Sequence, residues 1–496
     1  MEKTPDYQTS LTPSHRKRHG VFYTPSSFVE FILDRVLEPV LSACKNINQI
    51  LNVKVCDPSC GTGGFLIAAH ERFLRHVARV GAAGEIISSI QQSCLYGVDL
   101  DGGAIALAKS QIPFANLFCA NALRDRDVLK KDFFDVVIGN PPYGMKIDAA
   151  ERVHYMRLFD VRDRDSASFF MCLALEIAKP GGTTGFIVPK SFIYSSSFSD
   201  VKARLTSGIT ELVDCGMAWK NVKLEQVIYV HQKDVVAPNY LSLKRTAQSI
   251  DPIGLVSKDD ASLFGGLLPA LTADEIELGK ILRSSSLFLT DVAQNQRGAG
   301  LQKKLDGGLA ISGATLNVIG GRHLARYGWT NVSRSKISRA SIADKKAFVH
   351  SDSILVQNIV AHLQNPKPHL KITAQLVDAK TSDSLVILDT VNQLKCHEGY
   401  SSRVLLAVLN SKLISWYIYR FIVGQAVRTI HFDAPLISRI PVPRPSSTAE
   451  LDALVDQMLR QPEPVLDDRL ESLVWDLFGV GGRGTARTVG VRGLGV

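Results

Sequence analysis

Residues 54–64 read Lys54-Val55-Cys56-Asp57-Pro58-Ser59-Cys60-Gly61-Thr62-Gly63-Gly64. A short apolar strand stops at a carboxylate and gives way to a glycine turn, and Phe65 to Val80 continues with helical spacing. The same alternation follows downstream. Leu95–Leu100 reads as a strand and Ala104–Ser110 as a helix, with further strands at Leu117–Ala120 and Phe134–Gly139. After them come a helix over 166–179, a strand over Thr184–Val188, a helix over 199–205 and a strand over Thr210–Val213. A leading helix covers 28–43. Strand-helix alternation sustained over about 200 residues predicts an α/β domain, a Rossmann-like, doubly wound and mostly parallel sheet with right-handed crossovers.

Past residue 240 the alternation gives way to short mixed segments separated by Gly, Ser and Asn, which predicts a second domain of α+β type. A helix over 402–419 leads into the extended Ile440–Pro445 segment, and an amphipathic helix covers 449–459. The expected division is a polar arm at 1–18, a catalytic domain at 19–238, a second domain at 239–478 and a disordered Gly/Arg-rich tail at 479–496.

Composition narrows the class. The 496 residues are 45% hydrophobic and 21% charged, as in ordinary globular proteins. No apolar run approaches the roughly 20 residues of a membrane span, and the first twenty residues lack a signal-peptide core, so a cytoplasmic protein is expected. Eight cysteines form no CxxC pair, and no second Cys/His pair follows Cys56 and Cys60 at zinc spacing. Reduced thiols and no metal are expected. The net charge is +9, and Gln294–Ile430 alone holds 18 Lys+Arg against 7 Asp+Glu, a local +11. A basic surface concentrated in one stretch points to a polyanion, with Lys303, Lys304, Arg322, Arg326, Arg334, Lys336 and Arg339 as candidate phosphate contacts.

The glycine turn is not a P-loop, since no Gly-Lys-Ser/Thr closes it, and Leu66 stands where the dinucleotide fingerprint has its third glycine. Asp57 beside the turn suits a cationic group such as an amino-acid ammonium and repels pyrophosphate. Asp99, ending the next strand, can accept both hydroxyls of a ribose. Asn121 follows the third strand, and Asn140-Pro141-Pro142-Tyr143 follows the fourth. The Asn140 amide oxygen and a carbonyl of the rigid Pro-Pro turn can accept hydrogen bonds from one exocyclic amine, while Tyr143 offers a π-face to a planar base. Glycine loop, ribose acid, polar third-strand residue and amine-binding loop, in that order, predict a pocket for S-adenosylmethionine.

On these motifs the chain resembles the TaqI-like, gamma-class N6-adenine DNA methyltransferases, whose cofactor motifs precede the DNA-recognition domain. The resemblance is firm from His19 to Asp214 and looser to Pro445. Gly20-Val21-Phe22-Tyr23-Thr24-Pro25 is similar to the family's N-terminal motif, which implies that Thr24 and Pro25 meet the methionine carboxylate. It implies cofactor contacts at Asp57, Pro58, Gly61, Gly63, Asp99 and Asn140, and catalysis by Asn140, Pro141, Pro142 and Tyr143. Asp165-Ser166-Ala167-Ser168-Phe169-Phe170 resembles the next motif, with Phe170 on the cofactor adenine. Phe198, with Phe192 and Tyr194 as alternatives, matches the aromatic that stacks on the flipped-out base. The family's usual Asp is replaced here by Asn121, whose amide can still serve an adenine edge.

The resemblance implies a site-specific DNA methyltransferase of a restriction-modification system. It would act as a monomer on double-stranded DNA, with a companion restriction endonuclease that it need not touch. An N4-cytosine enzyme usually has Ser at the Asn140 position. RNA and protein-glutamine methyltransferases with the same tetrapeptide are typically shorter, with their recognition part in front. A nuclease module ahead of Phe22 would not fit in the roughly twenty residues there.

Overall fold

The computed structural model describes residues 24–81, 86–219, 224–284, 286–302, 305, 313–363, 369–427, 430–444 and 448–481, with backbone only at 126. The chain forms two compact units, one ending at Leu271 and the other beginning at Thr272.

The first unit runs α1 Ser26–Val36, α2 Glu38–Ala43, α3 Ile47–Asn52, β1 Val55–Asp57, α4 Gly64–Arg79, α5 Ile86–Cys94, β2 Leu95–Asp99, α6 Gly102–Gln111, β3 Asn116–Cys119 and β4 Phe134–Gly139. It continues with α7 Ala149–Phe159, α8 Ser166–Ile177, β5 Ala178–Pro189, α9 Ser191–Tyr194, α10 Ser199–Thr206, β6 Ile209–Gly216, β7 Gln226–Gln232, β8 Asn239–Arg245, β9 Ile250–Ser257 and α11 Lys258–Leu263. All nine strands join one sheet in the order β3-β2-β1-β4-β5-β7-β6-β8-β9. From β3 to β5 every pairing is parallel. β7 runs antiparallel between β5 and β6, β8 is parallel to β6, and β9 is antiparallel to β8. The expected doubly wound, mostly parallel sheet is present. Strands β1 and β4 are buried almost throughout because helices cover both faces, so they read as apolar runs without alternation.

Chain order reverses between β1 and β4, which makes the crevice at their carboxyl ends the topological switch point. Helix α1 buries Phe28, Val29, Ile32, Leu33 and Val36 along one stripe. Gly185 on β5 makes this packing possible, since a Cβ there would lie 2.8 Å from Ile32 and 2.9 Å from Val36. The single helix expected over 28–43 is instead two, broken at Leu37. Pro39 has no N–H to give the Arg35 carbonyl, and its ring crowds that turn.

The boundary expected at 238/239 lies at 271/272. Strands β8 and β9 extend the first sheet, and the Tyr240 hydroxyl, bonded to Leu268, ties the following segment to it.

The second unit is α+β. Its largest sheet has four antiparallel strands in the order Ala293–Arg297, Val391–Cys396, Ser353–Gln357, Ala374–Val377. The helix expected over 402–419 divides into Ser402–Asn410 and Lys412–Tyr417 and ends in a π turn, Ile418–Ile422. Ser411 breaks it by capping the second helix, while the Asn410 side chain bonds both backbone groups of Ala374. Pro441–Pro443 is extended, as expected, and pairs with Ser286–Phe288. The arm at 1–18, the motif residues Gly20–Tyr23, Lys303, Lys304 and all but the first three residues of the 479–496 tail lie outside the described residues. Among the described residues no helix is long and apolar enough to cross a membrane, no group of side chains could hold a metal ion, and all eight cysteines are free.

Candidate active site

The glycine loop is built by its own backbone. The Asp57 carboxylate, at the end of β1, accepts from Ser59 N at 3.0 Å. Cys60 N donates to the Val98 carbonyl at 2.9 Å, which draws the loop across β2. Gly61, at φ +52°, donates its N–H to Asp99 Oδ2 at 2.8 Å, and Asp101 N meets Asp99 Oδ1 at 2.9 Å. The Leu100 N–H also bonds this carboxylate, which leaves it acceptor capacity for a ligand hydroxyl. Gly63, at φ +86°, lets the chain enter α4 while passing close to Ala108, 3.0 Å from where its Cβ would sit. Gly139 is required for a different reason. A Cβ there would lie 2.7 Å from Asp57 Oδ1.

Both carboxylates are placed unfavourably for charge. Burial raises the Asp57 pKa to about 8, the Ser59 N–H opposing and the nearby Asp99 adding to the rise. Burial also raises Asp99, against the N–H groups of Asp101 and Gly61. Among the described residues neither carboxylate has a salt-bridge partner. Two buried acids beside a glycine cradle with open space at Gly61 fit a ligand that brings a cation to Asp57 and hydroxyls to Asp99, as S-adenosylmethionine does.

On the far side of the switch point, β4 delivers Asn140, Pro141, Pro142 and Tyr143. The Ser166 hydroxyl donates to the Pro142 carbonyl at 2.6 Å and accepts from Met145 N at 3.4 Å. Asp165 accepts from Gly144 N and, at 3.0 Å, from Ala167 N, so it holds the loop and caps α8 together. With Pro142 O engaged, the Pro141 carbonyl is the one in the Pro-Pro turn that no described donor occupies. Tyr143 is 5% exposed, and its hydroxyl lies close to the Gln226 side chain. Burial raises its pKa far above the usual phenol, so it stays neutral. Gln226 is itself fixed: its Oε1 accepts from Ala218 N at 3.0 Å and its Nε2 donates to Leu224 O at 2.6 Å. Beside it Lys190, 2% exposed, reaches Asp214 at 2.9 Å and Glu225 at 3.3 Å, tying the ends of β5 and β6 to the start of β7.

The remaining expected residues divide. Thr24 is buried, and Pro25 opens α1, its carbonyl accepting from Phe28 N at 3.0 Å. Arg72 on α4, 1% exposed, clamps α1 to the helix that leaves the glycine loop, through Glu30 at 2.7 Å and through Asp34. Phe169 is the core aromatic of α8, 5.5 Å from the Tyr155 ring, and the adjacent Phe170 retains 7% exposure. Asn121 is already employed: its Oδ1 closes a turn with Leu123 N at 3.0 Å and its Nδ2 donates to Tyr155 OH at 3.1 Å. Phe198 is 1% exposed, edge-on to Phe192 at 6.1 Å, and Phe192 lies against Tyr229.

One expected phosphate contact is corrected. Arg326 makes two bonds to Asp467, at 2.9 and 2.8 Å, and one to Asn410 O, so its guanidinium is occupied within the second unit. Arg334 lies over Trp329 at 4.5 Å and Arg339 over Phe348 at 5.0 Å, geometries that leave guanidinium N–H groups available. Arg322 and Lys336 are exposed. Sequence reasoning missed Ser166, Gln226, Gly139 and Arg72. For Arg72 a signal existed, since Glu30, Asp34 and Glu38 recur every four residues along one helical stripe.

Strand order, glycine loop and strand-end acids define a class I S-adenosylmethionine-dependent methyltransferase fold. Residues 9–215 match the model of the N-6 DNA Methylase family. Type II methyltransferase M.VspI of Vibrio sp. (strain 343) is 26% identical over 223 residues, 44% of this chain and 48% of that protein. Modification methylase CviBIII of Paramecium bursaria Chlorella virus NC1A is 24% identical over 199 residues, 40% of this chain and 45% of that protein. The matched part thus spans about half the length of these relatives. The Type IIL restriction-modification enzyme MmeI, solved in complex with DNA, superposes with a TM-score of 0.66 at 13% identity over 97% of this chain and 79% of its own. At that identity the likeness is one of fold.

Proposed function

We propose that this chain is a site-specific DNA methyltransferase that places the methyl group of S-adenosylmethionine on the exocyclic N6 of an adenine rotated out of a duplex, as the modification enzyme of a restriction-modification system. The observation that carries the reading is the switch-point crevice itself. An acidic, glycine-lined cradle lies on one side, and on the other a loop whose Pro142 carbonyl is tied down by Ser166, leaving Pro141 O for a substrate amine.

In this reading Asp57 receives the ammonium of the cofactor, Asp99 its ribose hydroxyls, Thr24 and Pro25 its carboxylate end, and Phe170 its adenine. Pro58, Gly61 and Gly63 let the backbone approach. The cofactor supplies an electrophilic methyl group on a cationic sulfur. Asn140 Oδ1 and Pro141 O accept the two N–H groups of the target amine, drawing its lone pair out of ring conjugation and aiming it. Tyr143, neutral at every working pH, stacks on the base, with Phe198 on the opposite face once the turn that carries it yields. No strong general base is required, because the amine's proton becomes acidic only as its nitrogen gains charge, and water can take it. Catalysis is alignment and electrostatics. The basic excess of residues 294–430 contacts the phosphates of double-stranded DNA, and residues beyond Leu271 form the recognition domain. The protein works as a monomer, and a companion endonuclease need not touch it.

Incubation of the purified protein with labelled cofactor and mixed-sequence DNA, followed by nucleoside analysis, should yield N6-methyladenine. Asn140→Ala should keep cofactor binding and lose at least about a hundredfold in turnover. N4-methylcytosine as the product, or label in RNA or protein alone, refutes the assignment.

A further inference from the structure

Between α7 and α8 runs the segment Asp160–Asp165, which with Ser166, the first residue of α8, forms a strap containing Arg162-Asp163-Arg164-Asp165-Ser166. Arg162 and Arg164 are exposed, Asp163 is fully buried and Asp165 half-buried. The segment is bonded to two different parts of the site. Toward the catalytic loop, Ser166 holds Pro142 O at 2.6 Å and Met145 N at 3.4 Å, and Asp165 holds Gly144 N. Toward the Phe198 turn, Asp163 accepts from Asp200 N at 3.0 Å and Val201 N at 2.9 Å. Arg162 grips the Asp200 carboxylate through its backbone N and its guanidinium at 2.6, 3.2 and 3.0 Å, and Arg164 N donates to Ser197 O at 3.3 Å.

These bonds bear on Phe198 because of what α10 lacks. Its N-cap position is Phe198, which has no side-chain acceptor, so the first N–H groups of the helix need a partner from elsewhere. Asp163 supplies it, and its negative charge suits the helix N-terminus. The backbone of Phe198 is therefore set by the strap, as the backbone after Pro142 is. Tyr143 and Phe198 are 5% and 1% exposed, so a planar base reaches either ring only if the loop or the turn moves.

We propose that the Asp160–Ser166 strap couples the Tyr143 loop to the Phe198 turn, so that the two aromatics open and close on the target base as one clamp. Ser166 and Asp163 are positioning residues that touch neither base nor cofactor. The inference rests on the reading above, in which Tyr143 and Phe198 receive an extruded base. Coupling makes a particular claim about energetics. The two attachments act in series, so once either is cut, cutting the other changes nothing further.

The test uses the full chain. Methylation-aware sequencing of DNA treated with wild-type protein fixes the target site, and a wild type that leaves no N6-methyladenine ends the functional reading itself and the clamp with it. A duplex carrying 2-aminopurine at the target then reports extrusion by fluorescence, beside single-turnover methylation and cofactor titration. Ser166→Ala and Asp163→Ala should each lower turnover and the fluorescence rise about tenfold, with cofactor affinity within about twofold of wild type, and the double variant should fall no more than about twofold below the worse single one. If Asp163→Ala loses cofactor binding, Asp163→Asn, which keeps the side-chain volume but leaves one acceptor for the two N–H groups of Asp200 and Val201, weakens the same attachment and takes its place. Effects that multiply to about a hundredfold in the double variant overturn the coupling, as does near-wild-type extrusion and turnover in either single variant.

Discussion

In the proposed reading Asp57 holds the cofactor's ammonium, and cofactor affinity then depends on pH over a window several units above that of an ordinary carboxylate contact. Burial holds its pKa at about 8, so at pH 7 roughly nine molecules in ten carry it neutral. An ammonium group requires the anion, and ligation therefore expels a proton from Asp57. The apparent dissociation constant scales as 1 + 10^(8 − pH), about 100 at pH 6, 11 at pH 7 and 4 at pH 7.5. Affinity should rise about 25-fold from pH 6 to 7.5, or about 2 kcal/mol. The window closes there because the ligand's own α-amino group titrates near 7.7–8.0. Calorimetry at pH 7 in phosphate and in Tris, which differ in ionisation enthalpy, should show close to one proton released. Asp57→Asn should bind more weakly and with a flat profile over the same range. The sign for folding is the reverse of that for an acid paired with a cation. Between pH 4 and 8 the unfolded chain has lost the proton that the native protein keeps, so this group's contribution to stability falls as pH rises and levels off above 8. A wild-type affinity that is constant from pH 6 to 7.5 with no proton released would refute the reasoning, since it requires Asp57 already to be ionised.

Three further outcomes follow from named contacts. Gly139→Ala drives a Cβ to 2.7 Å from Asp57 Oδ1, so it should cost about 1–3 kcal/mol of stability in urea melts and at least tenfold in cofactor affinity. His231 is held neutral by burial, with Lys258 and Lys233 adding to the effect, and its pKa drops to about 4. The unfolded chain takes up this proton below about pH 6.5 and the native protein does not until about 4, so stability should fall by up to about 3 kcal/mol across that interval. His231→Gln should remove that component when melts at pH 4.5 and 7 are compared with wild type. Arg326→Ala strands the partly buried Asp467 and should destabilise the second unit by about 2 kcal/mol while leaving the salt dependence of DNA binding unchanged; a slope reduced by about 0.9 would make Arg326 a phosphate contact after all.

What could be read from the sequence is what the chain determines within a few residues. The glycine turn after Asp57, the acid ending β2 and the tetrapeptide after β4 each follow an apolar run that can only be a buried strand, and strand-helix alternation then fixes which strand ends meet. Partners distant in sequence were not readable. Gln226, which lies close to the Tyr143 hydroxyl, opens a strand whose apolar run QVIYVHQ carries no mark of direction, so nothing local announces that β7 is antiparallel or that its first residue arrives at the carboxyl ends of its neighbours. Arg326 looked like one more basic residue in a basic stretch because its partner lies 141 positions away. Asn121, set at the adenine edge by the resemblance, also serves local chemistry, since Asn closes turns on its own backbone and its Oδ1 bonds the N–H of Leu123. The same contrast accounts for the strap. Its Arg-Asp-Arg-Asp alternation reads as a solvated charge run, and only the fold turns the inward acids onto Gly144 on one side and onto α10 on the other. Motifs that touch a ligand are short because the ligand is small, whereas the residues that set the distance between two motifs must span the fold, and their pairing is written in topology.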